Sequence, residues 1–246
     1  MPQDLDRVAR TRLRTLSKEN ADGVARHLVM AGRLLDDDPE AAYAHAAEAV
    51  RRAGRVDVVR EAAGITAYRT GRYAEALREL RTARRLGGGD DHVPLMADCE
   101  RGLGRPERAL ALAAEHAEGL APDVATELAI VVSGARLDLG EPEAALAALS
   151  TGPVSSASGE LAHRVAEARA TALTACGRLV EAEALLATLP ARDDDGDVLV
   201  FDLAEDDEAP EGAIEPDGRV GGQTRPASAG EGSVSLGSGD SEEESG

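Results

Sequence analysis

Aromatic residues and cysteine are scarce in this sequence. Among its 246 residues there are three tyrosines, one phenylalanine and no tryptophan, so aromatic residues make up only 2%. Because β-sandwiches and β-barrels are rich in aromatic and β-branched residues, this scarcity favours a helical protein. The two cysteines, Cys99 and Cys176, are too few for a disulfide framework and are typical of a reducing compartment.

Long apolar runs are also missing. The longest, at 109–114 and 144–149, have six residues, whereas a membrane-spanning helix needs about 20. The first residues, MPQDLDRVARTRLRTL, carry charges every few positions and contain no apolar core of the kind found in secretory signals. We therefore expect a cytoplasmic protein with no membrane segment.

Negative charge dominates the chain and is unevenly distributed. The formal net charge is −19, and residues 191–246 contain 17 acidic residues but only three arginines. The same segment is rich in glycine and serine, so it cannot bury enough apolar surface to offset the entropy lost on folding. The sequence predicts a disordered acidic C-terminal tail over 191–246.

One apolar stretch, VLVFDL at 198–203, interrupts this tail and contains the only phenylalanine of the chain. One interpretation is a short linear motif that docks on a partner or folds back on its own domain. The other interpretation is a transient strand that packs on nothing. The sequence leaves both open.

A short motif recurs five times before the tail. Its copies start at residues 37, 71, 104, 140 and 177, at intervals of 34, 33, 36 and 37 residues. In four copies a glycine ends one helical run, where it can adopt the left-handed conformation without a Cβ clash. A glutamate follows in the first turn of the next helix, and then comes an alanine that allows close contact between helices. These repeat positions are Ala42, Gly71, Ala76, Gly104, Ala109, Gly140, Ala145, Gly177 and Ala182.

The segment GITAYRTGRYAEAL at 64–77 resembles the consensus of the tetratricopeptide repeat (TPR), with Gly64 and Ala76 at its two small positions. The repeat of that family has a period of about 34 residues. Further blocks, such as AGRLLDDDPE and MADCERGLGRPERALALA, resemble an actinobacterial group of TPR proteins with charged low-complexity termini. The resemblance implies an all-α fold of about eleven helices. An N-terminal helix within 1–20 would precede a TPR-like α-solenoid of about five helix–turn–helix repeats over 21–190.

Motifs that support catalysis are absent from the sequence. The five histidines form no HExxH pair, and no G-x-S-x-G nucleophile elbow occurs. The glycine triplet at 87–89 lacks the Lys-Ser/Thr of a phosphate-binding loop and precedes two aspartates. We therefore expect a protein that is not an enzyme and that uses neither a metal nor a cofactor.

The TPR resemblance also implies a partner-binding groove. In that family the first helix of each repeat lines the concave surface, which binds a peptide or a partner helix. Tyr68, Arg69 and Arg101 would then face a common patch, and tyrosine and arginine are frequent anchors in interfaces. We expect a non-enzymatic adaptor or scaffold whose partner is a protein or peptide. The expected groove residues are Glu61, Tyr68, Arg69, Asp98, Arg101, Glu127, Asp138 and Arg164.

Nucleic-acid binding is the alternative function. Basic residues lie at roughly helical spacing near the N-terminus, and an RNA-associated regulatory protein would use them to contact phosphates. Against this alternative, the body and the tail are both net negative, and few aromatic residues are available to stack on bases. A contact between the acidic tail and the groove of the same molecule is a further hypothesis. The basic residues are Arg7, Arg10, Arg12, Arg14 and Lys18.

Overall fold

The computed structural model describes residues 1–189, and every regular element in this range is a helix. The prediction of an all-α fold is therefore confirmed for the described part of the chain, which contains no strand. The acidic tail predicted over 191–246, including the apolar stretch 198–203, lies outside the described residues. The α-helices are α1 (Arg7–Arg12), α2 (Lys18–Leu34), α3 (Pro39–Ala53), α4 (Asp57–Arg69), α5 (Tyr73–Arg85), α6 (Val93–Gly102), α7 (Pro106–Glu115), α8 (Pro122–Asp138), α9 (Pro142–Ala148), α10 (Gly152–Ser155), α11 (Gly159–Ala175) and α12 (Leu179–Leu186).

Ten of these helices pack as five successive pairs. The first helices of the pairs are α2, α4, α6, α8 and α11, and the second helices are α3, α5, α7, α9 and α12. The second helices α3, α5, α7 and α9 also pack on the first helix of the following pair. The short helix α10 packs on α8, and with it the described residues contain one α-helix more than the eleven expected.

The two helices of a pair are joined in the same way in four of the five pairs. A three-residue connection contains a glycine with a φ between 70° and 77°. Between α4 and α5, the Gly71 N–H donates to the carbonyl of Tyr68 and the Arg72 N–H to that of Ala67, at 2.9 and 2.8 Å. These two bonds form a Schellman motif, which satisfies carbonyls at the helix end and requires the left-handed residue. The equivalent glycines are Gly104, Gly140 and Gly177.

The first pair departs from this pattern. The connection between α2 and α3 has four residues and no glycine. The Asp38 side chain accepts a hydrogen bond of 3.0 Å from the Ala41 N–H and thereby caps the start of α3. Pro39 follows as the first helical residue, where the N–H that proline lacks would have no partner.

Small residues lie between paired helices. The five repeat alanines are at most 3% exposed. In the second pair, Gly64 of α4 faces Leu80 of α5, and a Cβ atom at Gly64 would lie 2.6 Å from Leu80 Cγ. Glycine is therefore the residue that fits, and it lets α4 and α5 approach closely. The buried alanines are Ala42, Ala76, Ala109, Ala145 and Ala182.

The N-terminal segment is less regular than predicted. In place of one helix within 1–20, it contains a 3₁₀ helix at Pro2–Asp4, the six-residue α1 and a second 3₁₀ helix at Leu13–Thr15. Asp6 caps α1 by accepting hydrogen bonds from two backbone N–H groups of its first turn. Leu13 follows directly after α1 and is 2% exposed in a core that includes side chains of α2, α3 and α4. Burial of this leucine redirects the chain and ends the short helix.

A pair of histidines joins the two helices of the first pair. His27 of α2 and His45 of α3 place their Nδ1 atoms 3.0 Å apart. One ring must be unprotonated at Nδ1 to accept this hydrogen bond from the other. Burial, followed by repulsion from His45 and Arg52, lowers the pKa of His27 from its ordinary value of 6.5. The folded state therefore favours the neutral imidazole of His27.

Replacing Gly64 by alanine should destabilise the protein although alanine is the better helix former. The clash with Leu80 should cost about 1–3 kcal/mol, which outweighs a gain of up to about 1 kcal/mol in helix propensity. As a matched control, Gly32→Ala adds the same methyl group in α2, where it meets no atom of another helix within 4 Å and should stabilise the protein. Urea titration measures both free energies of unfolding. A stabilised Gly64→Ala variant would contradict the close contact.

Stability should fall as the pH drops from about 7.5 to about 5, and His27→Gln should reduce that fall. Because the pKa of His27 is lower in the folded chain, the unfolded chain binds more protons as the pH passes below 6.5. Protonation therefore favours unfolding in this window, and glutamine has no proton to gain. Free energies of unfolding for both chains at the two pH values provide the measurement. Parallel pH profiles would show that the histidine pair plays no such role.

Candidate functional site

All eight expected groove residues lie on the first helices of the second to fifth pairs, and all make polar contacts with other side chains. Four of them form one connected network, and the other four belong to three separate ion pairs. The network contains Tyr68, Asp98, Arg101 and Asp138. The ion pairs are Glu61–His92, Arg69–Asp36 and Glu127–Arg164.

Asp98 and Arg101, both in α6, form the centre of this α4–α6–α8 network. The Tyr68 hydroxyl of α4 donates to Asp98 Oδ2, and Arg101 Nη1 donates to Asp98 Oδ1 at 2.7 Å. On its other side, Arg101 donates from Nε and Nη2 to the two carboxylate oxygens of Asp138 in α8, at 2.7 and 3.3 Å. Such a forked contact fixes the orientation of both side chains. One continuous line of hydrogen bonds thus joins three successive first helices.

Two glycines that the sequence analysis did not single out make room for this network. At Gly134 of α8, a Cβ atom would lie 2.6 Å from Arg101 Cζ. At Gly102 of α6, it would lie 2.6 Å from the ring of Tyr73, which meets the Tyr68 ring edge to face with centroids 5.7 Å apart. Both glycines lie within helices. A glycine inside a helical pattern lowers the stability of the helix and often marks a close packing contact. The position of these two glycines within helical patterns is therefore the sequence signal that could have identified them.

Burial and neighbouring charges set the protonation states in the network. Burial raises the pKa of Tyr68, and the hydrogen bond to the Asp98 carboxylate raises it further. Burial alone would lower the pKa of Arg101, but the two aspartates together raise it above its ordinary value. The phenol is therefore neutral and the guanidinium charged at physiological pH, so the pattern of donors and acceptors is fixed.

Arg69 lies outside the network. Its Nη2 is 2.5 Å from Asp36 Oδ1, in the connection between α2 and α3. The structure brings Tyr68 and Arg101 together on Asp98, whereas Arg69 contacts the preceding pair. Of the three residues expected to face one patch, Tyr68 and Arg101 lie together and Arg69 lies apart. The reason is that adjacent residues of a helix point about 100° apart around its axis.

The ion pairs extend the polar contacts to the fifth pair. Arg164 of α11 contacts Glu127 of α8, and Glu61 Oε1 of α4 lies 3.1 Å from Nε2 of His92 at the start of α6. Together with Asp36–Arg69 and the network, these contacts join every successive helix pair in the described residues. At each junction at least one partner is an expected groove residue.

Metal-binding and nucleophilic groups are few in the described residues. No group of three His, Cys, Asp or Glu side chains among residues 1–189 is placed to hold a metal ion. Burial raises the pKa of the Cys99 thiol to about 12, with a further contribution from Asp98 and Glu100, so this thiol is protonated and unreactive. Cys176 is half-buried and forms no disulfide. In the same part of the chain, none of the helices is long and apolar enough to span a membrane.

An open cleft of about 500 Å³ lies near the end of α5, away from the expected groove. Its lining includes Arg81, Arg84 and Arg85. Arg84 Nε donates to Asp90 at 2.7 Å, and Arg81 Nη2 donates to the buried Glu100 at 3.1 Å. Two of the three cations are therefore already neutralised, which makes the cleft a weak site for an anion.

A double-mutant cycle on Tyr68 and Asp98 tests the centre of the network. Tyr68→Phe removes the hydroxyl donor and should cost about 1 kcal/mol of stability. Asp98→Ala also releases Arg101 and should cost about 1.5–3 kcal/mol. Combined, the two changes should cost about 1 kcal/mol less than the sum of their separate effects. Urea titration of the four chains gives the coupling, and strictly additive effects would contradict the contact.

Comparisons of this chain with protein-family models, with curated proteins and with solved structures give no match. The TPR resemblance therefore rests on the residues and spacings of the sequence alone.

Proposed function

We propose that this protein is a non-enzymatic, cytoplasmic adaptor or scaffold that binds a protein or peptide partner. The helix pairs would form a TPR-like α-solenoid in which the first helices line one surface. The partner, a peptide or a helix, would lie across the α4–α6–α8 network and the ion pairs that continue it toward α11.

The observation that supports this proposal is the unbroken series of polar contacts between successive helix pairs. These contacts hold long side chains in fixed orientations, which reduces the entropy lost when a partner binds. Exposed ion pairs such as Asp36–Arg69 and Glu127–Arg164 add little to stability, and the charged groups of their arginines remain accessible to a ligand. The series consists of Asp36–Arg69, Tyr68–Asp98, Arg101–Asp138 and Glu127–Arg164.

The charges of this surface indicate the chemistry of the ligand. Arg69 and Arg164 expose 43% and 45% of their side chains, and Asp138 exposes 39%. Both signs alternate along the first helices, and apolar anchors are few. Because charge complementarity determines specificity at such surfaces, we expect a polar peptide or helix face that carries charges of both signs.

The test compares charge reversal on first helices with the same change on second helices. One variant combines Arg69→Glu with Arg164→Glu, and its matched control combines Arg85→Glu with Arg108→Glu, which are exposed positions of α5 and α7. A partner is first captured from native cell extract with the parent chain, and its affinity for each variant is then measured. The first-helix variant should bind about tenfold or more weakly, while the control should bind like the parent.

Helicity and thermal unfolding of both variants must match those of the parent chain. Equal affinity of the two variants for the partner would then contradict the assignment of the groove. Capture that is abolished by nuclease treatment would contradict the proposal in another way, because it would favour nucleic-acid binding through the basic N-terminal segment.

A further inference from the structure

Helix α12 is covered on one side only. The earlier second helices α3, α5, α7 and α9 pack both on their own first helix and on the first helix of the following pair. In the described residues α12 packs on α11, and no pair follows it. Three of its apolar side chains are exposed, Leu179 at 56%, Val180 at 79% and Leu186 at 47%. They are half of the large hydrophobic side chains exposed in residues 1–189.

The repeat shows that one of these positions is buried in every earlier pair. Leu186 lies four residues after the repeat alanine Ala182. The equivalent residues of the four earlier pairs are at most 5% exposed, against 47% for Leu186. In the first pair, the equivalent Ala46 shares a core cluster with Ala31 of its own first helix and Ala63 of the following first helix. At Leu186 no following helix contributes to burial in the described residues. The equivalents are Ala46, Leu80, Ala113 and Leu149.

Leu179 shows the same contrast. Its equivalent in the second pair is Tyr73, the first residue of α5, whose ring lies against Gly102 in the first helix of the next pair. Leu179 is the first residue of α12 and has no such neighbour in the described residues. An apolar segment laid on α12 would cover Leu179 and Leu186, whose equivalents in the second pair, Tyr73 and Leu80, are partly and fully shielded from water.

We propose that the apolar segment 198–203 covers this face of α12 in the same molecule. Eight residues, 190–197, separate it from Leu189, the last described residue. Extended, this connection spans on the order of 30 Å, whereas α12 is about 12 Å long. The segment can therefore reach any part of the exposed face. The inference goes beyond the proposed function, because it concerns the last second helix and involves none of the groove residues.

The sequence favours this occupant over a second copy of the chain. The six residues VLVFDL are flanked by acidic runs at 193–195 and 206–208, which stay in water and confine burial to the apolar segment. Two chains with a net charge of −19 each repel one another. A connection of only eight residues, in contrast, gives a segment of the same chain an effective concentration in the millimolar range.

A tryptophan reporter tests this contact, because the chain contains no tryptophan of its own. Phe201→Trp introduces one indole into the segment, and Leu236→Trp introduces the same indole further along the tail as a control. Contact with α12 should shift the fluorescence emission of the first chain to shorter wavelength than that of the second. The shift should be independent of protein concentration.

Substitutions on α12 then show whether this face causes the shift. Leu179→Asp combined with Leu186→Asp should return the emission of the Phe201→Trp chain to that of the Leu236→Trp control. The matched control, Val8→Asp with Leu86→Asp, changes apolar side chains that are 66% and 39% exposed elsewhere and should leave the shift intact. If the double change in α12 lowers helicity, Leu179→Asp alone replaces it, since this side chain is the more exposed of the two.

Three results would overturn the proposal. Equal emission from the two reporter positions would show that the segment is not buried. A shift that survives the α12 substitutions would place the segment on another surface. A shift that disappears on dilution would assign the contact to a second copy of the chain.

Discussion

The close approach of the two helices within each pair is the constraint on which the rest of the structure depends. At Gly64 the helices are so near that even a methyl group would overlap Leu80. The repeat alanines, which lie on the second helices, are almost completely buried. Because interiors are close-packed, a larger residue at these positions would push the helices apart. The spacing of the first helices, and with it the distance between their polar side chains, would change as well.

The same dependence on small residues extends from the core to the site. Arg101 reaches Asp138 across Gly134, and the Tyr73 ring rests on Gly102. Each glycine provides the space that a longer side chain on the neighbouring helix occupies. The α4–α6–α8 network therefore depends on the contacts between helices. Both the packing against these glycines and the hydrogen bonds hold its side chains in place.

Much of the fold could be predicted from the sequence, because period and helix-ending residues are local signals. The glycines at the helix ends have the left-handed backbone expected of them, and the repeat alanines are buried. The predicted extent of the N-terminal helix is wrong, because the burial of Leu13 depends on a tertiary contact with later helices, which the local sequence does not show. The helix α10 also escaped prediction, since its four residues show no periodicity.

The candidate site could be predicted as a set of positions but not as a set of contacts. All eight groove residues fall on first helices, which the repeat period determines. Which side chains meet depends on rotation about each helix axis, and neighbours such as Tyr68 and Arg69 therefore contact different helix pairs. Gly102 and Gly134 contribute to the site because they have no side chain. Their position inside a helix indicates a close contact, but the sequence does not show which side chain of a neighbouring helix fills the space.

The connections within helix pairs are more uniform in length than the segments between pairs, and this difference affects where the chain can lengthen. Within a pair the connection has three residues in four cases and four in the first, whereas the segments between pairs have 3, 7, 6 and 10 residues. The repeat intervals range from 33 to 37 residues and the segments between pairs from 3 to 10, whereas the connections within pairs are nearly constant in length. Because a Schellman turn fixes the length of the connection within a pair, we expect insertions and deletions to be accommodated between pairs. The chain can thus gain new surface, as α10 illustrates, without disturbing the geometry of any helix pair.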